Sequence, residues 1–63
     1  MGNIEIEFVE AVERWLKTKS EDDYEDVDWL AHYIIQTLPK YKEFNTIRKL
    51  YEHLTGKEIK DEN

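Results

Sequence analysis

The sequence of 63 residues has no cysteine, one proline and two glycines. Without cysteine it can form neither a disulfide framework nor a thiolate site, which is typical of proteins from reducing compartments. No apolar run approaches the roughly 20 residues that a membrane-spanning helix needs, and no signal-peptide pattern opens the chain. We therefore expect one small soluble domain, residues 1–63, in the cytoplasm, with no membrane association.

Residues with catalytic or metal-binding chemistry are also few. His32 and His53 are the only histidines, whereas a structural zinc site wants four cysteine or histidine ligands. A Ser/His/Asp triad is allowed by composition, but Ser20 is the only serine and it is placed to cap a helix. The acidic run at 21–28 lacks the glycine that a calcium loop needs at its turn. We predict a non-enzymatic protein without metal or cofactor.

The charge is distributed unevenly along the chain. Fifteen acidic and nine basic residues give a formal net charge of −6, but residues 1–28 contribute −7 and residues 29–63 contribute +1. Phosphate neutralisation by a basic patch supplies most of the affinity of nucleic-acid-binding proteins. The acidic half would repel DNA or RNA, so direct nucleic-acid binding is disfavoured, although the C-terminal half alone would not forbid it.

The middle of the chain organises the predicted fold. From Tyr24 to Leu38, apolar residues recur at helical spacing and predict one broad buried face. Its members are Tyr24, Val27, Leu30, Ala31, Ile34, Ile35 and Leu38. The helix ends near residue 38 because proline at position 39 disfavours helical geometry in the residue before it. It starts either at residue 21, after Ser20, or near residue 26, which would leave residues 19–25 as a loop.

Two further helices are predicted on either side. The first covers about 4–18, capped by Asn3, and the third covers 46–55, capped by Asn45 or Thr46 and ended by Gly56. The connection 39–45 contains Tyr41 and Phe44, which suggests that it folds back onto one end of the core. The tail 57–63 is charged, with only Ile59 to anchor it, and should fray. Three helices with short connections predict an all-α, compact three-helix bundle.

Two large aromatic residues point away from the predicted core face of the middle helix. Trp29 and Tyr33 lie four residues apart, on the same side as Asp22 and Asp26. The 39–45 link or the tail could cover the two rings, or they could form a binding surface. Exposed aromatic patches often bind partners, and tryptophan and tyrosine are enriched among binding hot spots.

The leading hypothesis is therefore a protein-interaction module. Its site would consist of Asp22, Asp26, Trp29 and Tyr33, and its partner would be a protein with a basic or mixed surface, or another copy of the chain. The alternative is a nucleic-acid mimic of phage or mobile-element type, in which Asp22, Asp23 and Asp26 stand in for phosphates and inhibit a DNA- or RNA-binding protein.

The chain also resembles the YozE SAM-like family of small bacterial and phage helical domains, over about residues 8–54. The residues that carry the resemblance are Phe8 and Trp15-Leu16, then Leu30-Ala31, the turn Leu38-Pro39-Lys40, and Ile47 with Tyr51 and Leu54. The spacing in the first helix departs from the family, and Trp29 stands where the family usually has a small or acidic residue. The resemblance implies a SAM-like helical bundle and assigns no catalytic residue.

Overall fold

The computed structural model describes residues 3–59 and has the predicted all-α architecture. Three helices follow one another, α1 (Ile4–Thr18), α2 (Glu21–Thr37) and α3 (Ile47–Thr55), with one turn of 3-10 helix at Pro39–Tyr41 between α2 and α3. The radius of gyration is 11.1 Å, close to the value of about 11 Å expected for a compact chain of this length. The three-helix bundle predicted from the sequence is confirmed.

The junction between α1 and α2 is only two residues long. Lys19 ends α1 in the left-handed conformation, with φ of 55°, and its amide donates to the carbonyl of Trp15 at 2.7 Å. Ser20 then caps α2, because its Oγ accepts from the amide of Asp22 at 3.2 Å. Of the two predicted starts of the second helix, the earlier one is correct, and residues 19–25 do not form a loop. Such a short connection makes α1 and α2 an antiparallel pair.

The other helix ends also follow from local sequence. The side chain of Asn3 accepts from the amide of Glu5 at 2.9 Å and caps α1, as predicted. The third helix is capped by Thr46, whose Oγ1 accepts from the amide of Lys49 at 3.2 Å, and not by Asn45. Gly56 ends α3 with φ of 75°, a conformation that glycine adopts without the steric cost of a Cβ atom.

The core lies where the inner faces of all three helices meet. Its fully buried side chains are Phe8 and Val12 from α1, Val27 and Ile34 from α2, and Leu50 from α3. Ile59 is buried as well and packs against the same cluster. The remainder of the tail predicted to fray, 60–63, lies outside the described residues.

One residue predicted for the buried face of α2 is exposed in the structure. Tyr24 is 42% exposed, because it lies near the start of α2, and its ring packs beside that of Trp15 of α1 with centroids 5.2 Å apart. Leu30, Ile35 and Leu38 are half-buried. The buried face of α2 is therefore centred on Val27, Ala31 and Ile34, and is narrower than the sequence pattern suggests.

The connection between α2 and α3 folds back onto the core, as predicted. Tyr41 is buried and Phe44 is half-buried, and their rings pack 6.3 Å apart. The Tyr41 hydroxyl donates to the Glu5 carboxylate, and this bond, together with burial and the charge of Glu5, raises the pKa of Tyr41 to about 12. Tyr41 thereby fixes the connection to the first turn of α1.

Candidate interaction surface on the second helix

All four residues predicted for the interaction site are exposed on α2. We call Asp22, Asp26, Trp29 and Tyr33 the α2 outer face. Trp29 is 63% exposed and Tyr33 is 44% exposed, so neither ring is enclosed by the described part of the chain. The alternative prediction, in which the 39–45 link covers the two rings, is wrong, because that link packs on the core through Tyr41.

The two aromatic rings of the α2 outer face form a stacked pair. Trp29 and Tyr33 are one helical turn apart, and their rings stack with centroids 5.4 Å apart and planes inclined by only 9°. A stack within one helix needs no support from another element. Large rings that are already ordered lose little conformational entropy on binding, since each has only two rotatable side-chain bonds.

A shallow groove runs between α1 and α2 beside the stacked rings. Its volume is about 300 Å³. We call it the α1–α2 groove, and its lining comprises Glu7, Glu10, Ala11 and Arg14 from α1 and Asp26, Trp29 and Leu30 from α2. Ala11 is buried and Leu30 is half-buried, so these two form an apolar floor. Exposed carboxylates stand on both sides of that floor.

The charge around this groove is strongly negative. Helix α2 contains six acidic residues and no lysine or arginine, a formal charge of −6, which equals the net charge of the whole chain. Glu7 and Glu10 add two carboxylates from α1. Arg14 is the one basic residue of the groove lining, and within residues 3–59 its guanidinium makes no ion pair or hydrogen bond. The groove is therefore a negative surface with an apolar floor.

The acidic residues of α2 differ in how they are used. Asp23 is half-buried and accepts from the Thr18 hydroxyl at 2.5 Å, so it stabilises the α1–α2 junction. Asp28 lies 3.5 Å from the Nδ1 of His32. Asp22 and Asp26 are exposed, and within residues 3–59 neither carboxylate makes a hydrogen bond or an ion pair. No three His, Asp or Glu side chains of the described chain are grouped to hold a metal ion.

The structure brings together only part of the predicted site and adds residues that were missed. Asp26 and Trp29 share the α1–α2 groove, and Tyr33 extends the aromatic unit, whereas Asp22 lies one turn away from Asp26 and does not line the groove. The contributions of Glu7, Glu10 and Arg14 were not predicted. The short connection after α1 was the sequence feature that could have indicated them. It makes α1 and α2 antiparallel, which places these three residues beside Asp26 and Trp29 of α2.

A second groove lies on the other side of α2. It has a volume of about 600 Å³ and is lined mainly by the end of α1, the start of α2 and the start of α3, with Trp15, Tyr24 and Ile47 among its residues. Here the aromatic rings pack across two helices and do not stack within one. Ile59 also lines this groove.

No family model, curated protein or solved structure matches this chain. The resemblance to the YozE SAM-like family therefore stays a prediction. Among the described residues, no helix is both long and apolar enough to cross a membrane.

Proposed function

We propose that this chain is a non-enzymatic protein-interaction module that binds a basic surface of a partner protein through the α2 outer face. The observation that carries the proposal is the exposed, stacked pair of Trp29 and Tyr33. Exposed apolar patches of this kind commonly mark interaction sites, and aromatic residues dominate the energetics of protein interfaces. We place this activity in the cytoplasm, in keeping with the absence of cysteine.

Charge determines which kind of partner fits. A basic surface gains attraction from the carboxylates around the rings, and such complementarity raises the association rate and excludes acidic proteins. A symmetric dimer through the same face would bring two α2 helices, each with a formal charge of −6, against one another. The repulsion disfavours a second copy on this face, so the proposed partner is a different protein.

The test compares two double variants of the same helix. Trp29→Ala/Tyr33→Ala removes the stacked rings, and His32→Ala/Gln36→Ala is the matched control, because it truncates two exposed α2 side chains with the same four-residue spacing outside the α1–α2 groove. Proteins captured from a cell lysate are identified, purified and titrated against each variant by calorimetry. We expect the first variant to weaken binding by at least tenfold and the control to bind like the wild type.

Circular dichroism and ultracentrifugation accompany the titration. Equal binding by both variants would overturn the proposal, and so would loss of helical signal in Trp29→Ala/Tyr33→Ala, since the rings would then be needed for folding. A concentration-dependent dimer that the same variant abolishes would replace the basic partner by a second copy of the chain.

A nucleic-acid mimic is the second candidate, favoured by the six acids of α2 and its lack of lysine and arginine. A mimic depends on carboxylates and not on rings. The triple variant Asp22→Asn/Asp23→Asn/Asp26→Asn should then abolish inhibition of a DNA- or RNA-binding protein, while Trp29→Ala/Tyr33→Ala retains it. The engagement of Asp23 by Thr18 counts against a free row of phosphate-like charges.

A further inference from the structure

We propose that the α1–α2 groove is an arginine-binding subsite, which takes the guanidinium of one arginine side chain of the partner protein. This inference rests on the proposed function and names the group that the site recognises. The groove volume of about 300 Å³ lies at the lower end of the range for ligand pockets, about 300–1,000 Å³, and suits one side chain better than a drug-sized molecule.

The chemistry of the groove lining fits an arginine in each of its parts. The apolar floor of Ala11 and Leu30 can contact the methylene stem, as long cationic side chains bury their stems while the charge stays near water. One face of the Trp29 indole stacks on Tyr33, and the side chain is 63% exposed, so the opposite ring face is the one that would take a cation. The carboxylates of Glu10 and Asp26 come from opposite helices, so they can accept N–H donors at two different edges of a planar guanidinium.

Arginine fits this arrangement better than lysine does. Its guanidinium is planar, can stack on an aromatic ring and presents five N–H donors in a fixed fork. Hydrogen bonds from such a fork to carboxylates are among the stronger ones in proteins. The ammonium of lysine is a compact, strongly hydrated point charge, and it cannot stack on the indole in the same way.

Arg14 gives the inference a sharp internal control. Its guanidinium belongs to the groove lining and makes no ion pair or hydrogen bond within residues 3–59. An incoming arginine would meet this like charge. If the groove binds a guanidinium, Arg14→Gln should raise the affinity, whereas a groove that binds an acidic partner would lose affinity in the same variant.

The experiment uses the full chain and a small probe, N-acetyl-arginine amide, followed by nuclear magnetic resonance of the two indole N–H signals. We expect the Trp29 signal to shift with a dissociation constant on the order of 1 mM. The Trp15 signal, from a side chain outside the groove, should not move. The citrulline analogue, which has the same shape without the charge, should produce no saturable shift.

Groove variants then test the assigned contacts with the same probe. Asp26→Asn and Glu10→Gln should each weaken binding by about two- to fivefold, as expected for exposed charge pairs, and Arg14→Gln should strengthen it by a similar factor. Glu43→Gln is the control, since Glu43 is an exposed acid of the connection between α2 and α3, outside the groove lining.

Failure of this inference and failure of the proposed function give different results. Equal shifts with arginine and citrulline, absence of any Trp29 shift, or weaker binding by Arg14→Gln would each overturn the arginine subsite. If the captured partner still requires Trp29 and Tyr33 in those cases, the interaction module stands with a different anchor. If it does not require them, both proposals fall.

Discussion

The two tryptophan–tyrosine pairs of this protein differ in what they connect. Trp15 and Tyr24 belong to different helices, and their rings meet at 5.2 Å with planes tilted by 56°. Trp29 and Tyr33 belong to one helix and stack almost parallel at 5.4 Å. The first pair joins α1 to α2 beside their junction. The second pair stacks within α2 and is largely exposed, although Trp29 also lines the α1–α2 groove, so we expect its removal to leave the tertiary structure unchanged.

The comparison gives a rule for the aromatic residues of this small domain. A ring that bridges two elements should contribute to the free energy of unfolding, because its loss removes a tertiary contact. A ring that contacts only its own helix should contribute little to folding and is available for binding. A chain of this size has a net stability of only a few kcal/mol, so the difference between the two kinds of ring should be measurable.

The largest difference in stability is expected between the alanine variants of the two tryptophans. Trp15→Ala should lower the free energy of unfolding by about 2–3 kcal/mol, somewhat less than the cost of truncating a fully buried aromatic residue. Trp29→Ala should change it by less than about 0.5 kcal/mol, as surface substitutions do. Urea denaturation followed by circular dichroism measures both values. Similar costs for the two variants would show that the pairs do not differ in this way.

A third bridging ring, Tyr41, extends the comparison to the connection after α2. Tyr41→Phe removes the bond to Glu5 and should cost about 1–2 kcal/mol at neutral pH, since the acceptor is charged. Tyr33→Phe, on the exposed ring, should cost almost nothing. Thermal denaturation of the two variants beside the wild type gives the difference.

The dependence of this effect on pH identifies its cause. The pKa of Tyr41 is raised from 10.0 to about 12, so its stabilising contribution is fully present below pH 10 and is lost as the pH rises from 10 through 12. Burial and the nearby charge of Glu13 raise the pKa of Tyr51 as well. Tyr51 is present in both the wild type and Tyr41→Phe, so its titration cancels in the difference between their stabilities. The stability gap between wild type and Tyr41→Phe should therefore shrink over this window, and a constant gap would contradict the assignment.

A smaller effect on stability is expected from loss of the Ser20 cap, and it should be confined to the first turn of α2. Ser20→Ala should cost about 1 kcal/mol and loosen the first turn, including Tyr24, while Trp29 stays in a regular helix. Amide hydrogen exchange should quicken at Asp22 and Tyr24, whose amides donate to Ser20, and remain unchanged at residues 29–33. Ser20→Asp retains an acceptor at the cap and should behave like the wild type; faster exchange along the whole helix would mean that the two ends unfold together.

The smallest effect is expected from Lys19→Gly at the junction beside Trp15. Lys19 has φ of 55°, and its Nζ lies 5.8 Å from the centre of the Trp15 ring. Lys19→Gly relieves the left-handed backbone but loses this contact and adds freedom to the unfolded chain, so stability should change by less than about 0.5 kcal/mol. Lys19→Val should cost about 1 kcal/mol or more, because β-branched residues avoid this conformation. Tolerance of valine would rule out strain at the junction.

The fold could be predicted from local signals, and the helix ends show why. Pro39 and Gly56 act on their own backbone or that of near neighbours, so the sequence is sufficient to place these two helix ends. The start of α2 was left open between residues 21 and 26, and the structure places it after Ser20. Helical spacing placed Trp29 and Tyr33 away from the core face, but it left open whether the link or the tail covers them. Tyr24 was assigned to the core by the same spacing, but periodicity does not show that a helix end extends past its neighbours.

The groove itself could not be predicted from the pattern of one helix. It requires Glu10 and Arg14 of α1 to lie opposite Asp26 of α2. That arrangement depends on how the two helices pack against each other, which the periodicity of either helix alone does not show. Asp22 was included because it shares a side of α2 with Asp26, yet the groove does not reach it. Spacing along one helix identified Trp29 on the α2 side of the groove. Only the tertiary structure identified the α1 residues on the opposite side.

The two-residue junction between α1 and α2 also bears on the order of folding. Closing so short a loop costs little chain entropy, and local contacts of this kind form quickly. Every residue of the α1–α2 groove belongs to this helical hairpin. We therefore expect both walls of the groove to assemble early, and the docking of α3 to stabilise a recognition surface whose shape the hairpin has already set.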